Sequence, residues 1–570
     1  SNNWTPNNLA ATDQMLDSPT NNFATLNALD TIGAASILLE GNLEQTSTAS
    51  AWGSKAATFG MSSGKWYWEY VITASGAGPT GGIVTEAVTS GDLAVAGAVF
   101  CNDLGWIYDE GVVTSTTGGI TYGFGDVISC TYDADAGVFK QTVSNGTYNT
   151  IASGKSGREW FPVSKVHQAA DSINHNFGQD SSFAGNKTSQ GNSDDNGIGD
   201  FYYTPPTGFL ALCTQNLPEP TVVPSEHFNT VLWNGDSNTP RNITGVGFQP
   251  DWVWTKTRSQ ANDHSVFDAV RGVSKRLATN SVKSEYNPAA YGDVSAFLSD
   301  GFTVDNGTGG SLADEHINES GETYVAWNWK ANGAGVSNTN GSVTTTVSAN
   351  VDAGFSIVSY TGTGSVLTAG HGLSVAPEMV IVKNRDVTIN SPNNGNWRSY
   401  HIGLHSSTPE NYKINLNDTS AATTGVSNWN NTAPTATVFT VGTDWELNQS
   451  GQKGIAYAFH SVEGYSKVGS YTGNGSTDGT FVHCGFRPAY VMWKSSSHTT
   501  NWTILDNTRG DYNVNNKRLM PNLSNAEDTA VSADFVSNGM KLRGAGANDN
   551  GYTFIFLAFA EHPFKYTNAR

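Results

Sequence analysis

Paired acidic side chains are the first residues in this sequence whose spacing could support chemistry. Asp133 and Asp135 alternate along the chain, so both would lie on one face of a strand. Glycosidases use two carboxyl groups held roughly 5 to 10 Å apart. The stretch DADAG around the pair is also typical of a hairpin turn, in which Asp accepts hydrogen bonds from backbone N–H groups. We expect the turn rather than a catalytic pair.

A second acidic pattern is Asp-x-x-Arg, found at Asp268 with Arg271 and again at Asp506 with Arg509. A related region reads Gly-Leu-His at 403–405. A pair that recurs in a repeat predicts a structural salt bridge. Serine nucleophile elbows, phosphate loops and HExxH motifs are absent from the sequence. The acidic loops at 133–137 and 305–310 lack the full set of calcium ligands. We therefore expect no catalytic residue, no metal site and no cofactor.

Glycan binding requires less than catalysis, namely exposed aromatic side chains with a few polar neighbours. Four aromatic residues are not explained by the repeats described below. These candidate ligand-binding residues are Trp106, Tyr108, Trp429 and Trp445. The alternative for each of them is a small core beneath a loop.

Three copies of one sequence block make up most of the chain. In each copy an aromatic residue is followed by Gly two positions later, by Pro 15 positions after the Gly, and by Lys 23 positions after the aromatic residue. The copies are Trp233, Gly235, Pro250 and Lys256; Tyr360, Gly362, Pro377 and Lys383; and Tyr471, Gly473, Pro488 and Lys494. Their aromatic residues are 127 and 111 residues apart, which is enough for a small domain per copy.

A strand rich in aromatic residues closes each copy. Aligned on Gly321, Gly451 and Gly551, Trp327 corresponds to Tyr457 and to a leucine in the third copy. The apolar character recurs while the polar groups change, which a core tolerates because it needs volume rather than one particular group. We therefore expect these strands to be core rather than a ligand surface. Short strands separated by Gly, Asn and Ser predict β-sandwiches.

The first third of the chain has a different pattern. SSGKWYWEYVI (62–72) predicts a strand, GDVISCTYDADAG (125–137) with VFKQTVSNG (138–146) predicts a hairpin, and WFPV (160–163) and NHNFG (174–178) follow. In this order the segments resemble the SPRY family. The resemblance implies a non-catalytic two-sheet sandwich that binds ligands through edge loops. The second hairpin strand is longer than in the family's pattern, so the family's binding loops do not carry over.

Together these patterns predict an all-β chain of tandem β-sandwiches. The predicted parts are a segment at 1–19 continuing from a missing upstream region, an SPRY-like sandwich at 20–215, a linker at 216–226, and three repeats at 227–335, 336–464 and 465–570. We call the last three repeat 1, repeat 2 and repeat 3.

Four short sequence segments resemble a more specific class of proteins. WTPNN (4–8), SPTNNFATLN (18–27), YTPPTGFLALCTQNLPEPTV (203–222) and LAFAEHPFKYTNAR (557–570) resemble bacteriophage tail-fibre and tail-spike proteins. The resemblance implies an extracellular virion appendage, homotrimeric and joined to other virion proteins through the missing upstream region. Its partner would be a bacterial surface glycan or protein receptor, bound without catalysis. The alternatives are a glycan depolymerase with an active site between subunits, a structural spacer or capsid fibre, and a bacterial surface adhesin.

The composition limits the partners. A formal net charge of −20 argues against nucleic acid, whose binding proteins have basic patches. No apolar run is long enough for a membrane-spanning helix, so we expect no membrane insertion. We expect Cys130 and Cys213 to be buried thiols. A Cys101–Cys130 disulfide is the one pairing considered, since both residues lie in the same predicted sandwich.

Overall fold

The computed structural model describes residues 21–30, 32–33, 36–74, 78–287, 291–309, 316–387, 395–510, 513–544 and 546–566. Within these ranges the chain is almost entirely β-structure, as the sequence predicts, and its helices are short. The chain forms two compact units, Ser1–Glu219 and Pro220–Arg570. The predicted segment at 1–19 lies outside the described residues. Among the residues described, no helix has the length and apolar character needed to cross a membrane.

The N-terminal unit contains two sheets. Its strands are β1 Ile32–Gly33, β2 Ser36–Leu39, β3 Glu44–Ser47, β4 Gly53–Ala56, β5 Lys65–Ala74, β6 Thr80–Val84, β7 Ala98–Cys101, β8 Ile107–Asp109, β9 Val112–Ser115, β10 Val127–Asp133, β11 Val138–Val143, β12 Asn149–Ala152, β13 Phe161–Val166, β14 Ser172–Asn176 and β15 Leu210–Ala211, with a 3-10 turn at Glu40–Asn42. One sheet has the order β1-β4-β13-β6-β7-β8-β9, and the other has the order β12-β11-β10-β5-β14-β3-β2 with β15 beside β5.

These two sheets pack face to face. Gly81 of β6 lies so close to the ring of Tyr70 of β5 that an added Cβ would come within 2.6 Å of it. The side chain of Gln141 in β11 donates across the interface to the Gly81 carbonyl oxygen at 3.1 Å. The antiparallel two-sheet sandwich expected for this part of the chain is therefore present.

The four cysteines are buried free thiols, so the Cys101–Cys130 disulfide is not formed. The two residues lie on different sheets, in β7 and β10, and each sulfur has its own neighbour. The Cys101 thiol contacts the Ile120 carbonyl oxygen at 3.5 Å, and the Cys130 sulfur accepts from the Gln141 amide at 3.4 Å. Burial raises the pKa of Cys101 to about 11, which keeps this thiol protonated.

The three repeats lie in the second unit. Repeat 1 contains β16 Phe228–Asn234, β17 Arg241–Thr244, β18 Trp252–Thr257, β19 Ser265–Asp268, β20 Gly272–Leu277, β21 Asp293–Leu298, β22 Gly301–Asp305 and β23 Thr323–Trp329. Repeat 2 contains β24 Val336–Asn338, β25 Thr345–Asn350, β26 Phe355–Thr361, β27 Leu367–Gly370, β28 Met379–Asn384, β29 Arg398–His401, β30 Tyr412–Asn415, β31 Thr423–Thr424, β32 Val438–Val441 and β33 Lys453–Phe459. Repeat 3 contains β34 Ser466–Thr472, β35 Phe481–His483, β36 Phe486–Ser495, β37 Thr503–Asp506, β38 Asn515–Arg518, β39 Asp528–Val536, β40 Gly539–Leu542 and β41 Thr553–Pro563. The short helices of this unit are α1 Val426–Trp429, α2 Trp445–Asn448 and the 3-10 turns Pro224–Glu226, Ile402–Leu404, Pro409–Asn411 and Phe564–Tyr566.

Each repeat has a main sheet with the same strand order. The order is β16-β23-β18-β19 in repeat 1, β26-β33-β28-β29 in repeat 2 and β34-β41-β36-β37 in repeat 3. The closing strand of every repeat therefore lies inside its sheet, between the strand with the repeated aromatic residue and the strand with the repeated Lys.

The closing strands β23, β33 and β41 are buried on both faces. Successive side chains of a strand point to opposite faces. One set, which includes Trp327, Tyr457 and Phe559, forms a core that all three repeats share. The other set packs in a separate core within each repeat. Trp327 is 0% exposed, so the core interpretation of this strand is confirmed, and the shared core joins the repeats into one unit.

The repeated aromatic residues and glycines shape one tight turn in each repeat. The Trp233 indole and the Tyr360 and Tyr471 hydroxyls each donate to a backbone carbonyl oxygen shortly before the closing strand. An added Cβ at three glycines would lie 1.9 to 2.4 Å from a backbone carbonyl oxygen; these are Gly235, Gly362 and Gly473. Three further glycines have φ between 74° and 91°, which disfavours other residues; these are Gly321, Gly451 and Gly551.

The repeated Pro and Lys residues are also structural. Pro250, Pro377 and Pro488 are buried. The ammonium groups of Lys256, Lys383 and Lys494 are bound by backbone carbonyl oxygens, and all three side chains are 0% exposed. Lys383 donates to the Val282 carbonyl oxygen of repeat 1 at 3.0 Å, and Lys494 donates to that of Thr419 in repeat 2 at 3.1 Å. Lys383 and Lys494 therefore link neighbouring repeats.

Candidate functional site

The repeats contact one another at equivalent positions, beginning with a buried ion network between repeats 1 and 2. Asp268 and Arg271 of repeat 1 are 0% exposed, with Nε and Oδ2 2.5 Å apart. Arg271 also contacts Glu285 at 3.1 Å, and Glu285 in turn binds Arg385 of repeat 2 at 2.8 Å. The Tyr457 hydroxyl of repeat 2 donates to Asp268 at 2.7 Å. Every charge in this network has a partner of opposite sign, as buried charges require.

The same network recurs between repeats 3 and 1. Asp506 and Arg509 are 2.6 Å apart and 0% exposed. Arg509 contacts Glu527 at 3.1 Å, and Glu527 binds Arg258 of repeat 1 at 2.9 Å. The Trp327 indole of repeat 1 takes the place of the tyrosine and donates to Asp506 at 2.9 Å. Both Asp-x-x-Arg pairs are thus structural salt bridges, as the sequence predicts.

The interface between repeats 2 and 3 has the same backbone but none of these charges. The positions of the Asp, the two Arg and the Glu are occupied here by His401, Leu404, Ser496 and Ala422, respectively. The Ala422 amide still donates to the Ser496 carbonyl oxygen at 2.8 Å, as the Glu285 amide does to Arg385 and the Glu527 amide to Arg258. Only the side chains have been replaced, and the replacements are smaller or uncharged.

The residue that would donate a hydrogen bond to this aspartate is also replaced at the third interface. Leu557 of repeat 3 stands where Trp327 and Tyr457 donate to Asp in the other two interfaces. Leucine has no donor, so His401 instead contacts the Phe556 carbonyl oxygen through Nε2 at 3.1 Å. Burial lowers the pKa of His401 to about 4, which keeps its ring neutral. The third interface therefore lacks the buried ion network of the other two.

The missing side chains leave a half-open pocket with a volume of about 500 Å³ between repeats 2 and 3. Its lining residues are Ile402, Gly403, Leu404, His405, Ser406, Tyr412, Ala422, Ser470, Ser496, Ser497 and Thr553. No Lys, Arg, Asp or Glu is among the described residues that line it. We call it the repeat 2–3 pocket. Its volume lies within the range of roughly 300–1,000 Å³ typical of small-molecule sites.

Several polar groups of the pocket have unused hydrogen-bonding capacity. The side-chain hydroxyls of Ser406, Tyr412 and Ser470 make no hydrogen bond to any described residue. The His405 Nδ1 lies 3.2 Å from the Thr408 amide and accepts from it, so the ring proton is on Nε2. The rings of His405 and Tyr412 are stacked with centroids 5.0 Å apart and planes 10° apart. The pocket thus combines two stacked aromatic side chains with several hydroxyl groups.

The four aromatic residues singled out in the sequence lie elsewhere. Trp106 and Trp445 are exposed, at 39% and 46%, and neither lines the repeat 2–3 pocket. Tyr108 is partly buried, with its ring stacked on that of Phe100 at 4.5 Å. Trp429 is 3% exposed and belongs to the core of repeat 2, which is the alternative considered above. Its indole donates to the Tyr412 carbonyl oxygen at 3.0 Å, so it holds the backbone of a residue that lines the pocket.

The acidic pair in the N-terminal unit makes a turn. Asp133 accepts from the Ala136 amide at 2.9 Å, and Asp135 accepts from the Gly64 amide at 3.0 Å. Asp133 also contacts Lys65 at 3.2 Å. Both carboxylates are therefore used in capping backbone groups, as expected from the turn.

Sequence reasoning missed the pocket, although one signal for it was present. Two positions after the repeated Lys, repeats 1 and 2 have Arg258 and Arg385, while repeat 3 has Ser496. It also missed a repeated asparagine three positions before the glycine of the closing strand. Asn448, for example, donates to the Ser365 and Gly442 carbonyl oxygens and so holds the turn before β33.

Comparisons with known proteins give a family and a set of structural neighbours. Residues 223–563 match the family described as "Domain of unknown function (DUF7483)", and the chain belongs to this family, whose model spans all three repeats. No curated protein matches the chain. The SPRY domain of human HERC1 is similar at 17% identity over 25% of this chain and 92% of that one, with a TM-score of 0.23. The TRIM65 PSpry domain is similar at 11% identity over 27% of this chain and 91% of that one, with a TM-score of 0.23.

Proposed function

We propose that this protein is a non-enzymatic adhesin that binds a saccharide of a bacterial surface in the repeat 2–3 pocket. The supporting observation is the pocket itself, which offers free hydroxyls and a stacked pair of aromatic rings at the interface that lacks the ion network. Saccharides are recognised by this combination, since their hydroxyls need hydrogen-bond partners and their C–H faces pack on aromatic rings.

Binding without cleavage is favoured over hydrolysis by the composition of the pocket. Hydrolysis of a glycosidic bond requires a carboxylic acid and a carboxylate flanking it. The described residues lining the pocket include no carboxylate. Two buried carboxylates of the unit, Asp268 and Asp506, are already paired with arginine. A depolymerase would need an active site built elsewhere.

The sequence segments that resemble tail-fibre and tail-spike proteins support the proposal that this adhesin belongs to a bacteriophage particle. In the proposal it is an extracellular virion appendage, attached to other virion proteins. Several copies side by side, as in the predicted homotrimer, would bind a repetitive surface polymer with avidity well above the affinity of one pocket.

The proposal is tested by mixing the purified protein with surface polysaccharides from candidate bacterial hosts and separating the mixture by size-exclusion chromatography. We expect the protein to elute with the polymer, and the polymer to keep its size over hours. Progressive shortening of the polymer would instead identify a depolymerase. If no polysaccharide elutes with the protein while intact cells of a host still retain it, a protein receptor replaces the saccharide.

A further inference from the structure

We infer that the repeat 2–3 pocket selects uncharged saccharide units and rejects acidic ones such as uronic or sialic acids. This inference rests on the proposed function and specifies its ligand class. It follows from what the pocket lost in comparison with the two equivalent interfaces.

Each of the other two interfaces contains two arginines that neutralise two carboxylates. An acidic sugar in the repeat 2–3 pocket would need such a cation, but both arginine positions are occupied by Leu404 and Ser496. A carboxylate removed from water without a partner is strongly disfavoured. The described residues that line the pocket therefore include no Lys or Arg to compensate the charge of an acidic sugar, whereas a neutral sugar meets hydroxyls, the neutral His405 ring and apolar surface.

The residues that line the pocket suit an uncharged sugar ring. Leu404 and Ala422 supply apolar surface, and Tyr412 supplies an aromatic ring held in place by its stack with His405. The Ser470 hydroxyl projects from the opposite repeat and is exposed. Hydroxyl groups on both sides of the pocket can donate and accept, which matches the mixed character of sugar hydroxyls. The chain's net charge of −20 adds a repulsion against acidic polymers.

The first interface shows which side chains would fill the pocket. The triple variant Leu404→Arg, Ala422→Glu and Ser496→Arg rebuilds at the third interface the side chains that Arg271, Glu285 and Arg385 place at the first. The pocket should then be filled by these three longer side chains, with no change in the other two interfaces. A second variant, Ser470→Trp, blocks the pocket from repeat 3 alone and serves if the triple variant does not fold.

Binding is measured by saturation-transfer NMR with two matched probe sets: neutral hexose disaccharides and the corresponding uronic-acid disaccharides. We expect the wild-type protein to give signals with at least one neutral probe and none with its acidic counterpart. Both filled variants should lose the signal, and Tyr412→Phe should weaken binding about fivefold through the loss of one hydrogen bond. Folding of each variant is checked by its circular dichroism and thermal midpoint.

The outcomes separate the inference from the proposed function. Equal binding of acidic probes would overturn the neutral selectivity but leave the adhesin intact. Neutral binding that persists in a folded filled variant would show that the saccharide site lies elsewhere. Absence of binding to all disaccharides and all host polysaccharides would overturn the proposed function itself.

Discussion

Replacing Arg271 by Leu should destabilise the second unit strongly, because it leaves one buried charge without its partner. Arg271 and Asp268 are both 0% exposed and lie 2.5 Å apart. After the substitution, Asp268 keeps only the Tyr457 hydroxyl and backbone donors. Breaking a buried ion pair from one side typically costs about 3–5 kcal/mol. We expect a loss of this size in the free energy of unfolding, although repeat 2 has leucine at the equivalent position 404.

The double variant Asp268→His with Arg271→Leu should recover part of that loss. It copies the pair that the chain already uses at His401 and Leu404, and it leaves no unpaired buried charge, because Glu285 keeps Arg385. Because the two residues act as one pair, their effects should not add. We expect the double variant to be more stable than Arg271→Leu alone by at least about 1 kcal/mol.

Urea unfolding followed by tryptophan fluorescence provides the measurement, since ten of the sixteen tryptophans lie after Pro220. Arg518→Leu is the matched control, because its salt bridge with Asp528 is 30% and 41% exposed and should contribute less than about 1 kcal/mol. The reasoning fails if Arg271→Leu costs no more than this control, or if the double variant costs the sum of its two single changes.

Three further predictions concern other parts of the chain. Burial raises the pKa of Glu69 to about 7, above its usual value near 4.5. Its contribution to stability is therefore complete below pH 4.5 and lost as the pH rises to 7, so the stability of wild type relative to Glu69→Gln should fall by about 3 kcal/mol across that window in urea titrations. Gly362→Ala would bring a Cβ within 2.4 Å of the Gln449 carbonyl oxygen and should cost at least about 2 kcal/mol in the same assay. Trp397→Phe removes the 2.9 Å hydrogen bond from the indole to the Ala278 carbonyl oxygen of repeat 1 and should lower the unfolding free energy by about 1–3 kcal/mol.

Each of these predictions has a control or a contrary result. A flat pH dependence of the Glu69→Gln difference would contradict the raised pKa. Gly123→Ala should be nearly neutral, because its Cβ would meet no atom within 4 Å. Trp445→Phe, at a 46% exposed site, should change stability by less than about 0.5 kcal/mol. If it costs as much as Trp397→Phe, the inter-repeat hydrogen bond is not the cause.

The sequence predicted the β-sandwich architecture and the shared order of parts because both follow from local patterns. The constant spacing between residues such as Tyr360 and Lys383 identified the repeats. The corresponding residues Trp327, Tyr457 and Leu557 are all apolar but differ in their polar groups, and this identified a core. What local patterns could not show is that one face of each closing strand meets the other two repeats. Alternation gives a strand two buried faces but does not say what covers each of them.

The pocket was hidden for a similar reason. Leu404 stood out as a departure from Asp-x-x-Arg, and Ser496 could be aligned from the repeated Lys. Ala422 could not be aligned, because the loops before Glu285 and Glu527 differ in length. These positions belong to two repeats and become neighbours only when the repeats pack together. The aromatic residues favoured in the sequence were chosen for being unexplained, and that criterion does not distinguish Trp445, which is exposed, from Trp429, which is core.

The closed set of three interfaces within a single chain has a consequence for how a binding site can arise. In a trimer of identical subunits, any substitution appears at all three interfaces at once, so a pocket opened by deleting the ion network would remove that network everywhere. Here each interface is encoded separately. Two of them keep the buried ion network and hold the three repeats together. The third has lost that network and contains the pocket instead. Linking the copies covalently thus separates the residues that maintain the assembly from those that line the pocket.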